Sequence, residues 1–198
     1  MGMISRLWSN GMIRPILETM ERFRVRLRET LVYSIDVRSA GHAKSKIAEG
    51  LEFSIAPKPL VDWPAVIAAS SQAPGPGEPQ DIWINAIRDG TVVGTLAICF
   101  RPYFVEEASM WVHFPGGYVF GYNVLEGQRG KGVGRSLLLR AIDLMMTPER
   151  GERLFALVDS RNVASKKTFE ATGFKVEKSI SSLIVAGKGL HKVTIVAS

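Results

Sequence analysis

Apolar and polar positions recur along this chain with two different periods, and each change of period marks an element. Between residues 12 and 30, Ile13, Ile16, Leu17, Met20, Phe23 and Leu27 fall at helical spacing, while Arg14, Glu18, Arg22 and Arg26 take the opposite face. That pattern predicts an N-terminal amphipathic helix with a basic outer side. "LVYSIDV" (31–37) then alternates as a strand does, and residues 40–49, small and polar, read as a connection. "LEFSIAP" is a second strand, and "LVDWPAVIAAS" a short helix started or interrupted near Pro64. The Pro/Gly density of "SQAPGPGEPQ" (71–80) marks an exposed loop.

Downstream, "DIWINAIRDGTVVGTLAICFRP" reads as two strands around Asp89-Gly90, a strong hairpin signal. "ASMWVHFPGGYVFGYNVL" repeats the pattern around Pro115-Gly116-Gly117, with an aromatic-rich strand on each side. A Gly-rich turn follows, then a helix that buries Leu138, Ala141, Ile142 and Met145 and stops near Thr147-Pro148. "RLFALVD" is a buried strand, and "NVASKKTFEATGF" a helix that Asn162 can cap and Gly173 can end. "FKVEKSISSLIV" and "LHKVTIVA" close the chain as a hairpin. The order predicts an α+β fold: a mixed, mostly antiparallel sheet with a central βαβ unit, flanked by helices. We divide it into an N-terminal helix and strand extension, 1–48, and a main domain, 49–198.

Composition narrows the setting. The chain has 198 residues, 46% hydrophobic and 22% charged, as an ordinary globular domain does. One cysteine, Cys99, excludes an intramolecular disulfide and a thiolate zinc cluster, so a reducing, cytoplasmic interior is expected. No apolar run reaches the roughly 20 residues that span a bilayer. The histidines 42, 113 and 191 are scattered, so no metal is expected. The net charge is +6, and residues 1–30 supply six arginines against three glutamates, half of the surplus. Such a balance suits a phosphorylated small molecule, an acidic membrane surface or nucleic acid. Nucleic acid is disfavoured, because the arginines lack interleaved aromatics or a reader motif. The arginine face of the N-terminal helix could meet anionic lipid, although packing on the domain is the simpler role.

The stretch "VLEGQRGKGVGRSLLLRAID" carries the chemistry. A strand that ends at a Gly-rich turn where a helix begins presents free backbone N–H groups and the positive end of a helix dipole, an anion site suited to phosphate. A Walker loop requires Ser or Thr after Gly-Lys, whereas Gly132 follows Lys131. A Rossmann fingerprint requires G-x-G-x-x-G, whereas Leu137 takes the last position and only about 60 residues remain for the sheet. Arg129-Gly130-Lys131-Gly132-Val133-Gly134 instead resembles the R/Q-x-x-G-x-G/A signature of the GNAT superfamily of acyl-CoA-dependent N-acyltransferases. The preceding "YVFGYNVL" and the run N-x-x-S-x-x-x-F-E-x-x-G-F from Asn162 to Phe174 extend the resemblance over about residues 50–180.

The resemblance implies a GNAT-like fold, acetyl-CoA or a longer acyl-CoA as cosubstrate, and a small-molecule or peptide amine as acceptor, attacked directly in a ternary complex. It implies that the backbone of Gly130, Lys131, Gly132, Val133, Gly134 and Arg135, flanked by Arg129, holds the pyrophosphate. Tyr122, Asn123 and Val124 would pair with the pantetheine arm, the Val124 N–H would polarise the thioester carbonyl, Asn162 would contact the arm, and Phe169 would sit near the sulfur. Many family members carry at the Phe169 position a tyrosine that protonates the leaving thiolate. Phe169 cannot, which leaves Tyr122 as a substitute acid. Pairing "ASMWVHF" with "YVFGYNVL" puts Glu107 opposite Val124 and His113 near the far turn, so Glu107, then Glu106, is the expected base. Asp159 is a further candidate. The alternative function is a CoA-binding sensor or scaffold without efficient turnover. A homodimer is left open.

Overall fold

The computed structural model describes residues 25–40, 47–57, 60, 81–105, 110–147, 152–185 and 188–195. In chain order these form β1 (Val25–Asp36), α1 (Val37–Ala40), β2 (Glu52–Ala56), β3 (Ile82–Arg88), β4 (Thr91–Cys99), β5 (Tyr103–Val105), β6 (Met110–Val112), β7 (Gly117–Val124), a 3-10 turn (Glu126–Gln128), α2 (Val133–Met145), β8 (Arg153–Asp159), α3 (Val163–Ala171), β9 (Lys175–Val185) and β10 (Lys188–Ile195). Eight strands make one sheet in the order β10-β9-β1-β8-β7-β4-β3-β2, and β5 and β6 form a separate ribbon. Every neighbouring pair in the large sheet is antiparallel except β7 with β8, the two strands that α2 connects. The α+β class and the central βαβ unit are therefore as the sequence pattern predicts.

The two faces of the sheet bury different side chains. On one, α2 presents Val133, Leu137, Leu138, Ala141, Ile142 and Met145 at helical spacing, packed with Ile84, Leu96, Ile98 and Leu154. Leu137 and Leu138 are fully buried, and each contributes on the order of 2 kcal/mol by leaving water. On the other face Trp83, Cys99, Tyr118 and Phe120 pack under the β5–β6 ribbon through Val105 and Val112. Phe114 stacks on Phe155 with centroids 4.7 Å apart and extends that face toward β1. The Asp89-Gly90 hairpin forms as predicted, with φ of 51° and 72°, the signature of a two-residue primed turn. The terminal β9–β10 hairpin forms as well.

Two expectations need correction. The predicted N-terminal helix was to run through Thr30, but residues 25–30 are already strand; the rest of it, like the short helix after Leu60 and the 71–80 loop, lies outside the described residues. Val25, Leu27 and Leu31 satisfy a period of two as well as the i+4 spacing with Phe23. Pairing on both edges decides between them: β1 is inserted between β8 and β9, with Thr30 opposite Asp159 on one side and Ile180 on the other. The second correction is the hairpin around Pro115-Gly116-Gly117. β6 pairs with β5, Val105 opposite Met110, while β7 pairs with β4 on one edge and, over Gly117–Val119, with β8 on the other. The Pro-Gly-Gly turn carries the chain from the ribbon into the large sheet, so the register that put Glu107 opposite Val124 does not form.

Candidate functional site

The middle of the sheet parts where β7 leaves β8. Their parallel pairing spans only Gly117–Val119 against Leu154–Ala156. On its other edge β7 stays paired with β4 out to Val124, across a bulge that adds a residue at Gly121-Tyr122. Gly121 has φ of 55°, and its α-carbon lies against the Trp83 ring, where a Cβ would stand 3.0 Å from it. A glycine inside the strand thus permits the kink that turns Tyr122, Asn123 and Val124 away from β8.

A cleft of about 550 Å³ opens on the helix side of this seam. Its walls include Tyr122, Asn123, Val124, Arg129, Gly130, Gly132, Val133, Gly134, Arg135 and Asn162, ten of the residues singled out in the sequence. Lys131 is exposed but absent from the wall, and Phe169 lines the opposite side of the seam. Ser165, the serine of the N-x-x-S run, also lines this cleft, as do Gln128, Lys167 and Thr168, which were missed because helix-surface residues of these types carry no pattern of their own.

The anion cradle has the expected construction. Gly130 and Gly132 have φ of 74° and 77°, and Gly132 occupies the N-cap of α2 with no side chain bonding back to the first turn. The first N–H groups of the helix are therefore left to the cleft. No acidic residue stands in that first turn, while Arg129 and Arg135 flank it. A Cβ on Gly134 would collide with the Tyr122 hydroxyl, so the loop, the helix and β7 meet with no room for a side chain. Backbone donors, the helix dipole and two guanidiniums fit a diphosphate group.

Around the seam, Tyr122 packs edge-on against Phe169, centroids 5.7 Å apart, and hydrogen bonds with Thr168. Burial holds its phenol pKa far above the usual range, with the Thr168 bond opposing, so the hydroxyl stays protonated at neutral pH. Phe169 is buried among Tyr33, Tyr122 and Phe174. Tyr33 stacks on it and donates its hydroxyl to Glu170 Oε1 at 2.8 Å. The Val124 N–H donates to the Asn123 Oδ1 at 2.9 Å, and the Arg129 Nε donates to the Val124 carbonyl at 3.3 Å. Asn162 caps α3, its Oδ1 accepting from the Ser165 N–H at 3.1 Å, and its side chain lines both sides of the seam. Capping and cleft lining coexist in this residue.

A second cavity, of about 420 Å³, lies across the seam. It shares Tyr122, Asn123, Asn162 and Ser165 with the first and continues to Arg28, Tyr103, Tyr118, Phe120, Leu157 and Asp159. Asp159 is gripped by Arg161, whose Nε and Nη2 donate to its two oxygens at 3.0 and 2.8 Å. Hydrogen bonds from Arg161 lower its pKa to about 2, against the opposing effect of burial. Such a carboxylate is a poor base. His113 is exposed beyond β6. Glu106 and Glu107, which follow Val105 in the chain, lie outside the described residues. Among the described residues, no group of three His, Cys, Asp or Glu side chains could hold a metal, and no helix is long and apolar enough to cross a membrane.

A sheet split at its centre, with an uncapped glycine-rich helix start on one side of the split, is the arrangement that the sequence resemblance leads one to expect, and comparison with known proteins shows the family. The Acetyltransferase (GNAT) family model matches residues 56–174. The chain belongs to the GNAT acetyltransferase family. No curated protein matches it. Among solved structures, a functionally unknown conserved protein from Staphylococcus epidermidis ATCC 12228 superposes with a TM-score of 0.53 at 11% identity, over 84% of this chain and 64% of its own. A GNAT-family protein from Novosphingobium aromaticivorans DSM 12444 gives 0.51 at 17%, over 80% and 64%. A GCN5-related N-acetyltransferase from Kribbella flavida gives 0.50 at 12%, over 96% and 65%. These likenesses show the fold, and the chain spans slightly less than two thirds of each of those proteins.

Proposed function

We propose that the protein is an N-acyltransferase that moves an acetyl or longer acyl group from acyl-CoA to an amine in a ternary complex. The observation that carries this reading is the seam beyond Val119 and Ala156, where two cavities on opposite faces of the sheet meet at Tyr122 and Asn123. A donor bound on the helix side and an acceptor bound on the other reach each other only there. The uncapped start of α2, with Arg129 and Arg135, supports diphosphate binding. The unpaired edge of β7 at residues 120–124 suits an extended amide chain, added as a further strand. Acyl-CoA supplies an activated thioester to this arrangement.

The chain's own residues then have distinct tasks. Tyr122 is the proposed proton donor to the departing sulfur, the task that Phe169 cannot perform; burial, which raises its pKa, works against that transfer. The Val124 N–H is the proposed oxyanion donor, and Asn123 must swing its Oδ1 away before that N–H can serve. Glu107 and Glu106 are the proposed proton acceptors from the ammonium: they follow Val105, which lines the second cavity, and Asp159 is too acidic for the task. Titration calorimetry with acetyl-CoA tests the donor site. Micromolar binding that Gly132→Glu abolishes is expected, and absence of binding at millimolar donor would refute the reading.

The bond between the Val124 N–H and Asn123 also favours a second reading, a CoA-binding protein of the same fold without efficient turnover. Steady thiol release with any amine of a broad panel rejects that alternative, and tight binding without release supports it.

A further inference from the structure

The second cavity has a chemical polarity that names its occupant more closely than "an amine". Its floor, near the point where β7 and β8 part, is aromatic: Tyr103 lies 5.5 Å from Tyr118 and 4.9 Å from Phe120, centroid to centroid, with Leu157 beside them. Its mouth, at the end of β8 and the facing part of β1, is charged. There a single carboxylate, Asp159, stands between two guanidiniums. Arg161 takes both oxygens at hydrogen-bond distance, while Arg28 approaches only to 3.8 Å with its side chain 26% exposed. Asp159 is thus already held by Arg161, which is not part of the cavity wall, and Arg28 is the guanidinium that faces the cavity. Among the described residues, Arg28 and Asp159 are the only charged side chains that line the cavity.

From this arrangement we infer that the acceptor is an aromatic α-amino acid or a close analogue, its ring on Tyr103, Tyr118 and Phe120 and its carboxylate on Arg28. The inference rests on the acyltransfer reading for the fate of the amine, but not for the binding itself. An α-amino acid carries its amine and its carboxylate on one carbon. A ring seated on the floor therefore leaves both groups at the mouth, the carboxylate toward β1 and the amine toward the Tyr122–Asn123 seam. A volume of about 420 Å³ lies in the range of small-molecule sites. Among the described residues the cavity offers a polyamine no carboxylate but Asp159, which Arg161 already holds on both oxygens, and an aromatic amine without an acid group leaves Arg28 with only its 3.8 Å contact to Asp159. In the transfer, the ammonium first loses a proton to a base. The amine lone pair forms the C–N bond, the C–S pair leaves with sulfur, and the second nitrogen proton balances the thiolate. The products are the N-acyl amino acid, free CoA and one proton.

The test uses the full chain with acetyl-CoA and follows thiol release with phenylalanine, tyrosine, phenethylamine, alanine and spermidine. A carboxylate on a guanidinium is a charge-assisted contact, so kcat/KM for phenylalanine should exceed that for phenethylamine by about tenfold to a hundredfold. That ratio should collapse toward one in Arg28→Gln and recover in part in Arg28→Lys. Because it is taken within each variant, a general loss of fold does not mimic it. Phenethylamine or alanine equal to phenylalanine, or an unchanged ratio in Arg28→Gln, overturns the inference. Phenylalanine binding measured by calorimetry without donor separates the two readings. If acetyl-CoA fails to bind but phenylalanine binds in an Arg28-dependent way, the acyltransfer reading falls and the inferred ligand class stands. If phenylalanine neither binds nor reacts, while another amine turns over, the inferred class falls alone.

Discussion

Replacing Gly134 with alanine separates steric from conformational effects at the point where the glycine loop, α2 and β7 meet. Gly134 lies in the first turn of α2 with ordinary helical backbone, so alanine by itself should stabilise the helix by up to about 1 kcal/mol. The new Cβ, however, would fall inside contact distance of the Tyr122 hydroxyl, with Tyr122 Cζ at 3.2 Å and Val124 Cγ2 at 3.6 Å. Tyr122 is wedged between Phe169 and Thr168 and cannot step aside freely. Overpacking of this kind costs about 1–3 kcal/mol. Gly134→Ala alone should therefore be destabilising by roughly 0–2 kcal/mol, the difference of the two effects. In a Tyr122→Phe background the colliding oxygen is gone, and the same substitution should become neutral or stabilising by up to about 1 kcal/mol. Urea unfolding of the four proteins, followed by circular dichroism, gives a double-mutant cycle with an expected coupling of about 1–3 kcal/mol. Additivity within about 0.3–0.5 kcal/mol would refute the contact, and with it the placement of the Tyr122 hydroxyl against the start of α2.

Three further outcomes are expected. Arg101 and Asp81 form a buried ion pair at 3.0 Å, each side chain 8% exposed, and burial raises the Asp81 pKa even against its partner. Arg101→Ala should cost about 3–5 kcal/mol in denaturant unfolding, and the double change with Asp81→Leu should cost less than the single one; a loss under about 1 kcal/mol would contradict the burial. Burial pushes the Cys99 thiol up to about 11, so a disulfide reagent at pH 8 should react only after unfolding, and rapid native labelling would contradict the placement. The Asp159 carboxylate falls from 3.8 in the unfolded chain to about 2 in the fold, chiefly through Arg161. Its contribution to stability is complete above about pH 4 and is lost as pH falls toward 2. Asp159→Asn should flatten that part of the acid unfolding profile, and an unchanged slope would argue against the Arg161 grip.

The helix side of the seam is legible in the sequence because it is local. The glycine turn, α2, β8 and α3 follow one another within about 45 residues, and each announces itself through periodicity or a cap. The second cavity is not. Arg28, Phe120 and Leu157 come from three strands brought together only by sheet order, and Tyr103 from the separate β5–β6 ribbon packed on them. The two misreadings share that cause. Val25 to Thr30 fits either period, and its deciding partners lie more than 120 residues away on β8 and β9. Pro115-Gly116-Gly117 carries turn chemistry, but a turn does not say which strands it joins. Gly121, alone inside "YVFGYNVL", was the available signal for the kink that opens the seam.

The insertion of β1 between β8 and β9 has a consequence for how the chain is made. β1 leaves the ribosome before either of its neighbours, and the stretch that separates it from β9 is about 140 residues long. At roughly 5–20 residues per second, it waits on the order of ten seconds for its second partner. Both of its edges are open to any other strand until β8 is made, and one edge stays open until β9 follows. The β9–β10 hairpin, for its part, reaches the large sheet only through β1. A translation product that ends between β8 and β9 thus strands β1 with one neighbour and holds the glycine loop on a half-built sheet.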